Sequence, residues 1–251
     1  MNVEAIKNLL YRLADDKLII GHRHSEWIGM GPILEEDIAF ASMAQDEVGH
    51  SQAYYRILHE LGEGEPDQIA FNRKAQDFTC CQFVEFPIED YAFSLVRHYL
   101  FDMADKVRLQ ALKASSFEPL AALATKLARE EKYHQLHAQT FVQQLGRSTE
   151  EARLRMQSAL NEAYPMAFSM FEPTVHTESL AKEGVQPLED TLMKQWRVEV
   201  EAFLRSSNLQ IPHVEDLSSY FGGRSGHHTE FLQPLLSEMT EVFAIDPTAK
   251  W

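Results

Sequence analysis

FASMAQDEVGHSQAYYRILHEL, residues 40–61, carries a stripe at alternating steps of three and four: Phe40, Met43, Glu47, His50, Tyr54, Ile57, Leu61. That spacing is the seam of a helix buried against neighbouring helices. Five members are apolar or aromatic, but the middle two are a carboxylate and an imidazole one turn apart. An unpaired charge there would cost several kcal/mol, roughly the penalty of a desolvated ion, so a compensating partner is expected. The anomaly recurs further on. Leu120, Ala124, Leu127, Glu131, His134, Ala138, Phe141 and Leu145 form a second seam, interrupted by a second Glu-x-x-His pair. One such pair arises by chance on a solvated face. Two, each in mid-seam of a long helix, are the ligand pattern of a carboxylate-bridged dinuclear metal site in a four-helix bundle, which takes one further carboxylate from each of the other two helices.

Working outward, glycines and prolines fall mostly at the joints between long helical patterns. The expected helices cover about 3–27, 34–61, 88–115, 119–146, 148–170, 188–206 and 229–243. Ser116 is expected to cap the fourth, with Pro119 in its first turn, and Ser148-Thr149-Glu150-Glu151 to open the fifth. No sustained period-two pattern suggests strands. The fold class is therefore all-α, a ferritin-like four-helix bundle with additional C-terminal helices. One domain is expected over residues 1–251, its core bundle at 1–165 and a C-terminal helical extension at 166–251.

The remaining carboxylates are less sharply defined. On the third helix, Asp102 sits among Tyr99, Leu100, Phe101 and Met103, whereas Asp105 adjoins Lys106, so Asp102 reads as the more buried. The first helix offers Asp16 and Glu26. Asp16 shares the Leu9, Leu13, Ile20 face and would sit level with Glu47 in a simple hairpin. Glu26 reaches that level only if Ile28–Ile33 runs back extended, six residues giving roughly 20 Å. Geometry thus leans to Asp16. Imidazole and carboxylate suit iron, and a ligating imidazole needs its other nitrogen oriented by an acceptor. Asp46 and Glu130, each just before a motif glutamate, are candidates for that acceptor.

Composition narrows the function. The chain has 251 residues with a net charge of −15, which argues against nucleic acid or anionic membrane as partners. The two cysteines, Cys80 and Cys81, are adjacent and form neither a zinc spacing nor a disulfide framework, which fits a reducing, cytoplasmic location. No apolar run approaches the roughly 18 residues of a membrane span.

His24-Ser25-Glu26, Gln45-Asp46-Glu47-Val48-Gly49-His50 and Glu130-Glu131-Lys132-Tyr133-His134 resemble the ferritin-like oxygenase subunits of the bacterial phenylacetyl-CoA epoxidase. Leu13-Ala14-Asp15-Asp16, Gly21–Trp27, Pro32–Asp37 and the tail Gly223-Arg224-Ser225-Gly226-His227-His228-Thr229-Glu230 are most similar to its structural C subunit. The resemblance implies a di-iron cofactor, loaded or not, with metal ligands Glu26, Glu47, His50, Asp102, Glu131 and His134. It favours Glu26 over Asp16. It implies, as partner, a homologous catalytic oxygenase subunit, with an aromatic CoA ester as substrate and electrons from a separate reductase. The reaction implied is epoxidation of the phenylacetyl-CoA ring with one atom of O₂. The alternative is a non-catalytic scaffold pairing with the catalytic homologue. Structural subunits of this family have commonly lost metal ligands, whereas this sequence keeps a full candidate set. In the scaffold reading some of the acids stay protonated or pair with a nearby cation, for which Arg23 is the nearest candidate in sequence, and Glu47→Gln is expected to be neutral or stabilising. A ferroxidase-like iron protein is a third possibility, to which the extension beyond Pro165 is ill suited.

Overall fold

The computed structural model describes residues 1–247. Their helices are α1 (Val3–Ser25), α2 (Leu34–Glu60), α3 (Pro66–Phe71), α4 (Gln82–Glu85), α5 (Tyr91–Leu112), α6 (Glu118–Gly146), α7 (Glu150–Ala167), α8 (Thr177–Lys182), α9 (Glu189–Ser206) and α10 (Leu232–Thr240). The described residues contain no strand, so the chain is all-α, consistent with a ferritin-like helical bundle. No helix among them is long and apolar enough to cross a membrane.

The helices stop where local chemistry stops them. α2 ends at a break that includes Gly62, whose φ of 91° suits a residue without Cβ, and Pro66 opens α3. Thr149 caps α7 as expected, its hydroxyl accepting from the Ala152 amide. Ser116 does not cap α6. The N-cap is Phe117, and the Ser116 hydroxyl instead donates to the Glu183 carbonyl. Pro165 does not end α7, which continues to Ala167. The segment after α1 is also not extended: the amides of Trp27, Ile28 and Met30 donate three residues back, forming successive tight turns.

The described residues pack as two compact units, one of Met1–Ile6 and Ile88–Phe221, the other of Lys7–Pro87 and residues 222–247. In the first, α5 is buried over nearly its whole circumference and packs against α6, α7 and α9. Trp196 of α9 is buried, donates its indole N–H to the Leu100 carbonyl, and stacks on Tyr164 of α7. A buried pair, Arg108 to Glu189 at 2.9 Å, joins the C-terminal half of α5 to the start of α9. The seam of α6 is buried from Leu120 through Ala138, then passes to Val142 and Gly146 rather than Phe141 and Leu145.

In the second unit, α1 and α2 approach closely at Gly21. A Cβ there would lie 3.1 Å from Glu47 Cβ and 3.2 Å from the Ala44 carbonyl oxygen. The α2 seam is buried from Phe40 through Ile57. Two adjacent acids of α1 hold the rest of the unit. Asp15 accepts from the Tyr55 hydroxyl, from Arg73, and from the Thr79 amide and hydroxyl. Asp16 accepts from the Cys81 amide and from both terminal nitrogens of Arg224, at 2.8 and 2.7 Å.

Candidate metal centre

In the first unit, α5 and α6 bring three ligand types together. Asp102, Glu131 and His134 each offer one ligand atom within 4.8 Å of the other two, and all three side chains are fully buried. Glu131 and His134 face each other across one turn of α6, with His134 Nδ1 3.2 Å from Glu131 Oε2. Asp102 is the more buried of the two α5 acids, as expected, although Asp105 is buried as well. Behind Asp102, one turn earlier on α5, His98 Nδ1 stands 3.2 Å from Asp102 Oδ2. The His98 ring also lies 6.2 Å from that of His134 and 5.4 Å from that of His137. Glu130 is exposed, with Lys126 3.8 Å away. Asp46 is half-buried.

In the second unit, Glu47 and His50 are buried on α2, Glu47 Oε2 lying 3.9 Å from His50 Nδ1. The same oxygen meets the Lys17 ammonium at 2.7 Å, with 2% of the lysine side chain and none of the glutamate exposed. This is the compensating charge that the α2 seam demanded, while the expected cation, Arg23, pairs with another of the candidate acids. Arg23 binds Glu26 Oε1 at 2.5 Å and donates to the Glu85 carbonyl. Glu26 retains 28% exposure. Asp16, the geometric favourite, is committed to Arg224 and the Cys81 amide.

Lys17 was missed because the α1 face was drawn through Leu9, Leu13 and Ile20. A second stripe, Leu10, Ala14, Lys17, Gly21, His24, has the same three/four spacing and is buried throughout. Its lysine and histidine are the signal that would have found it. His98 was likewise readable, four residues before Asp102.

The donor sets give a divided answer about a metal. Two carboxylates and an imidazole, buried and within 4.8 Å, fit a divalent ion of the iron or zinc type. Glu47 fits less well, because a cation bound there must displace an ammonium from a buried carboxylate.

These features define an all-α protein with buried carboxylate–imidazole groups that could hold a metal. The model of the phenylacetic acid catabolic protein family matches residues 1–251, and the chain belongs to that family. It is 31% identical over 241 residues to the C subunit of 1,2-phenylacetyl-CoA epoxidase from Escherichia coli (strain K12), with 96% of each chain covered. It is 28% identical over 174 residues to the A subunit of the same enzyme from that organism, covering 65% of this chain and 55% of its relative. The chain is thus homologous to both, as the motif resemblance implied.

Proposed function

We propose that this chain is the scaffold subunit of a multicomponent epoxidase acting on the ring of phenylacetyl-CoA or a close aromatic CoA ester. Its partner in this reading is a homologous catalytic subunit, supplied with electrons by a separate reductase, in the cytoplasm. One observation carries the choice of scaffold over catalyst. The Lys17 ammonium neutralises Glu47 from within the fold, so the buried carboxylate needs no metal to be stable. The match to the C subunit of the relative, over 96% of both chains, supports the same choice.

A second reading is favoured by the Asp102, Glu131, His134 cluster. In it Glu26, Glu47, His50, Asp102, Glu131 and His134 are a working ligand set, and the chain is itself an oxygenase. Asp102, Glu131 and His134 would hold one ion, with His98 orienting Asp102. A bound di-iron centre supplies the activation of O₂.

The two readings part on one substitution. Glu131→Ala, made in this chain only, is assayed for epoxide formation in the reconstituted complex. Undiminished turnover is expected, with the complex still co-eluting on size exclusion. Loss of turnover from an intact complex overturns the scaffold reading and supports the second.

A further inference from the structure

Away from the Glu-x-x-His helices, the second unit gathers a different donor set. Cys80 Sγ, Glu85 Oε1 and His228 Nδ1 lie within 4.8 Å of one another. The individual separations are 3.7 Å from sulfur to Oε1, 3.9 Å from sulfur to Nδ1, and 2.6 Å from Nδ1 to Oε1. We propose that these three side chains form a binding site for a single zinc-like divalent cation, clasping the C-terminal segment to the segment that carries α4.

The dimensions are close to those such an ion requires. Zn–S of about 2.3 Å and Zn–N and Zn–O of about 2.1 Å, at tetrahedral angles, put sulfur about 3.6 Å from nitrogen and oxygen, and nitrogen about 3.4 Å from oxygen. Both sulfur distances are within about 0.3 Å of those values. The imidazole and carboxylate, now drawn together by a shared proton, part by about 0.8 Å to admit the ion.

The outer contacts are those of a prepared site. His228 donates Nε2–H to the Phe78 carbonyl at 3.0 Å, which leaves Nδ1 to face the cluster. Glu85 Oε2 accepts from the Thr229 amide at 2.7 Å and its hydroxyl at 2.6 Å, which leaves Oε1 to face it. A histidine whose second nitrogen is tied to a carbonyl, and a carboxylate whose second oxygen is tied by donors, are the supports that metal ligands have. The fourth position falls to water or a small anion.

Charge balances as well. The cluster now holds a thiol, a carboxylate and an imidazole with one proton between the last two, and its sum is zero. Entry of a divalent cation expels two protons, from Sγ and from Nδ1, and the sum is again zero. Burial and the Glu85 carboxylate push the Cys80 thiol well above its usual range, so the sulfur keeps its proton until a cation replaces it. The proposal is independent of whether the chain is a scaffold or a catalyst.

The test uses the purified full chain, stripped of metal and titrated with Co(II), whose thiolate charge-transfer absorption reports a sulfur ligand. One equivalent is expected to develop that band in the wild type and in Cys81→Ser and Glu131→Ala. The band is expected to vanish in Cys80→Ser and in His228→Gln. Thr229→Val, which removes only an outer hydrogen bond, should weaken affinity roughly 10–100-fold. Absence of a thiolate band in the wild type, or its survival in Cys80→Ser, overturns the proposal. The wild-type arm does not depend on any variant folding.

Discussion

Lys17 and Glu47 meet at 2.7 Å with almost no solvent on either side chain, and that pairing sets how α2 tolerates change. Removing one partner of a buried pair leaves the other uncompensated, at a cost of about 3–5 kcal/mol. Glu47→Gln is therefore expected to destabilise the chain by about that amount in chemical denaturation, reversing the neutral or stabilising outcome expected from sequence. The double variant Lys17→Met, Glu47→Leu should recover most of the loss, because apolar replacement of a whole buried pair is near neutral. A single-variant loss below about 1 kcal/mol would show that the pair is not what compensates Glu47. At this scale the sequence was readable wherever the signal was local. Glu47, His50, Glu131 and His134 interrupt their seams visibly, and all four are buried. The surroundings of Asp16 were not readable, for a physical reason. Its partner Arg224 lies 208 residues away, and no periodicity reports such a contact.

The helices were readable from punctuation and spacing, and their tight approaches were not. Two glycines of similar local appearance, Gly21 in α1 and Gly49 in α2, have opposite surroundings. A methyl at Gly21 would press on Glu47, Val48 and the Ala44 carbonyl at 3.1–3.2 Å, whereas one at Gly49 meets nothing within 4 Å. Gly49→Ala should stabilise by about 0.5–1 kcal/mol, the gain in helix propensity. Gly21→Ala gains the same propensity but loses about 1–3 kcal/mol to overpacking between α1 and α2, and should be net destabilising. Melting temperatures of the two variants, measured side by side, check the contrast. Equal shifts would mean that α1 and α2 do not pack closely at Gly21. The faces of α1 were the least legible part of the fold. Both of its stripes are buried, so a pattern that shows one apolar face cannot say which face meets α2.

For the molecule as a whole, acid sensitivity should begin with His22. Burial, then the neighbouring Arg23 guanidinium, lower its pKa from 6.5 to about 4. Between those values the unfolded chain binds a proton that the folded chain does not, so stability rises with pH across this window and falls as pH drops from about 6.5 to about 4. The full shift corresponds to about 3 kcal/mol, an upper bound because the side chain is half-buried rather than sealed. His22→Gln should flatten the pH dependence of denaturation between pH 6.5 and pH 4. An unchanged slope would assign it to other groups.

The anchoring of Asp16 by Arg224 also bears on how the chain is made. With 208 residues between them, and translation at about 5–20 residues per second, Asp16 leaves the ribosome roughly 10–40 s before its guanidinium exists. Residues 7–87 are among the first to emerge, yet their compact unit also draws on the segment from Gly222 onward. That unit completes only once the segment from Gly222 onward has been synthesised, so its early acids wait through translation for a late cation.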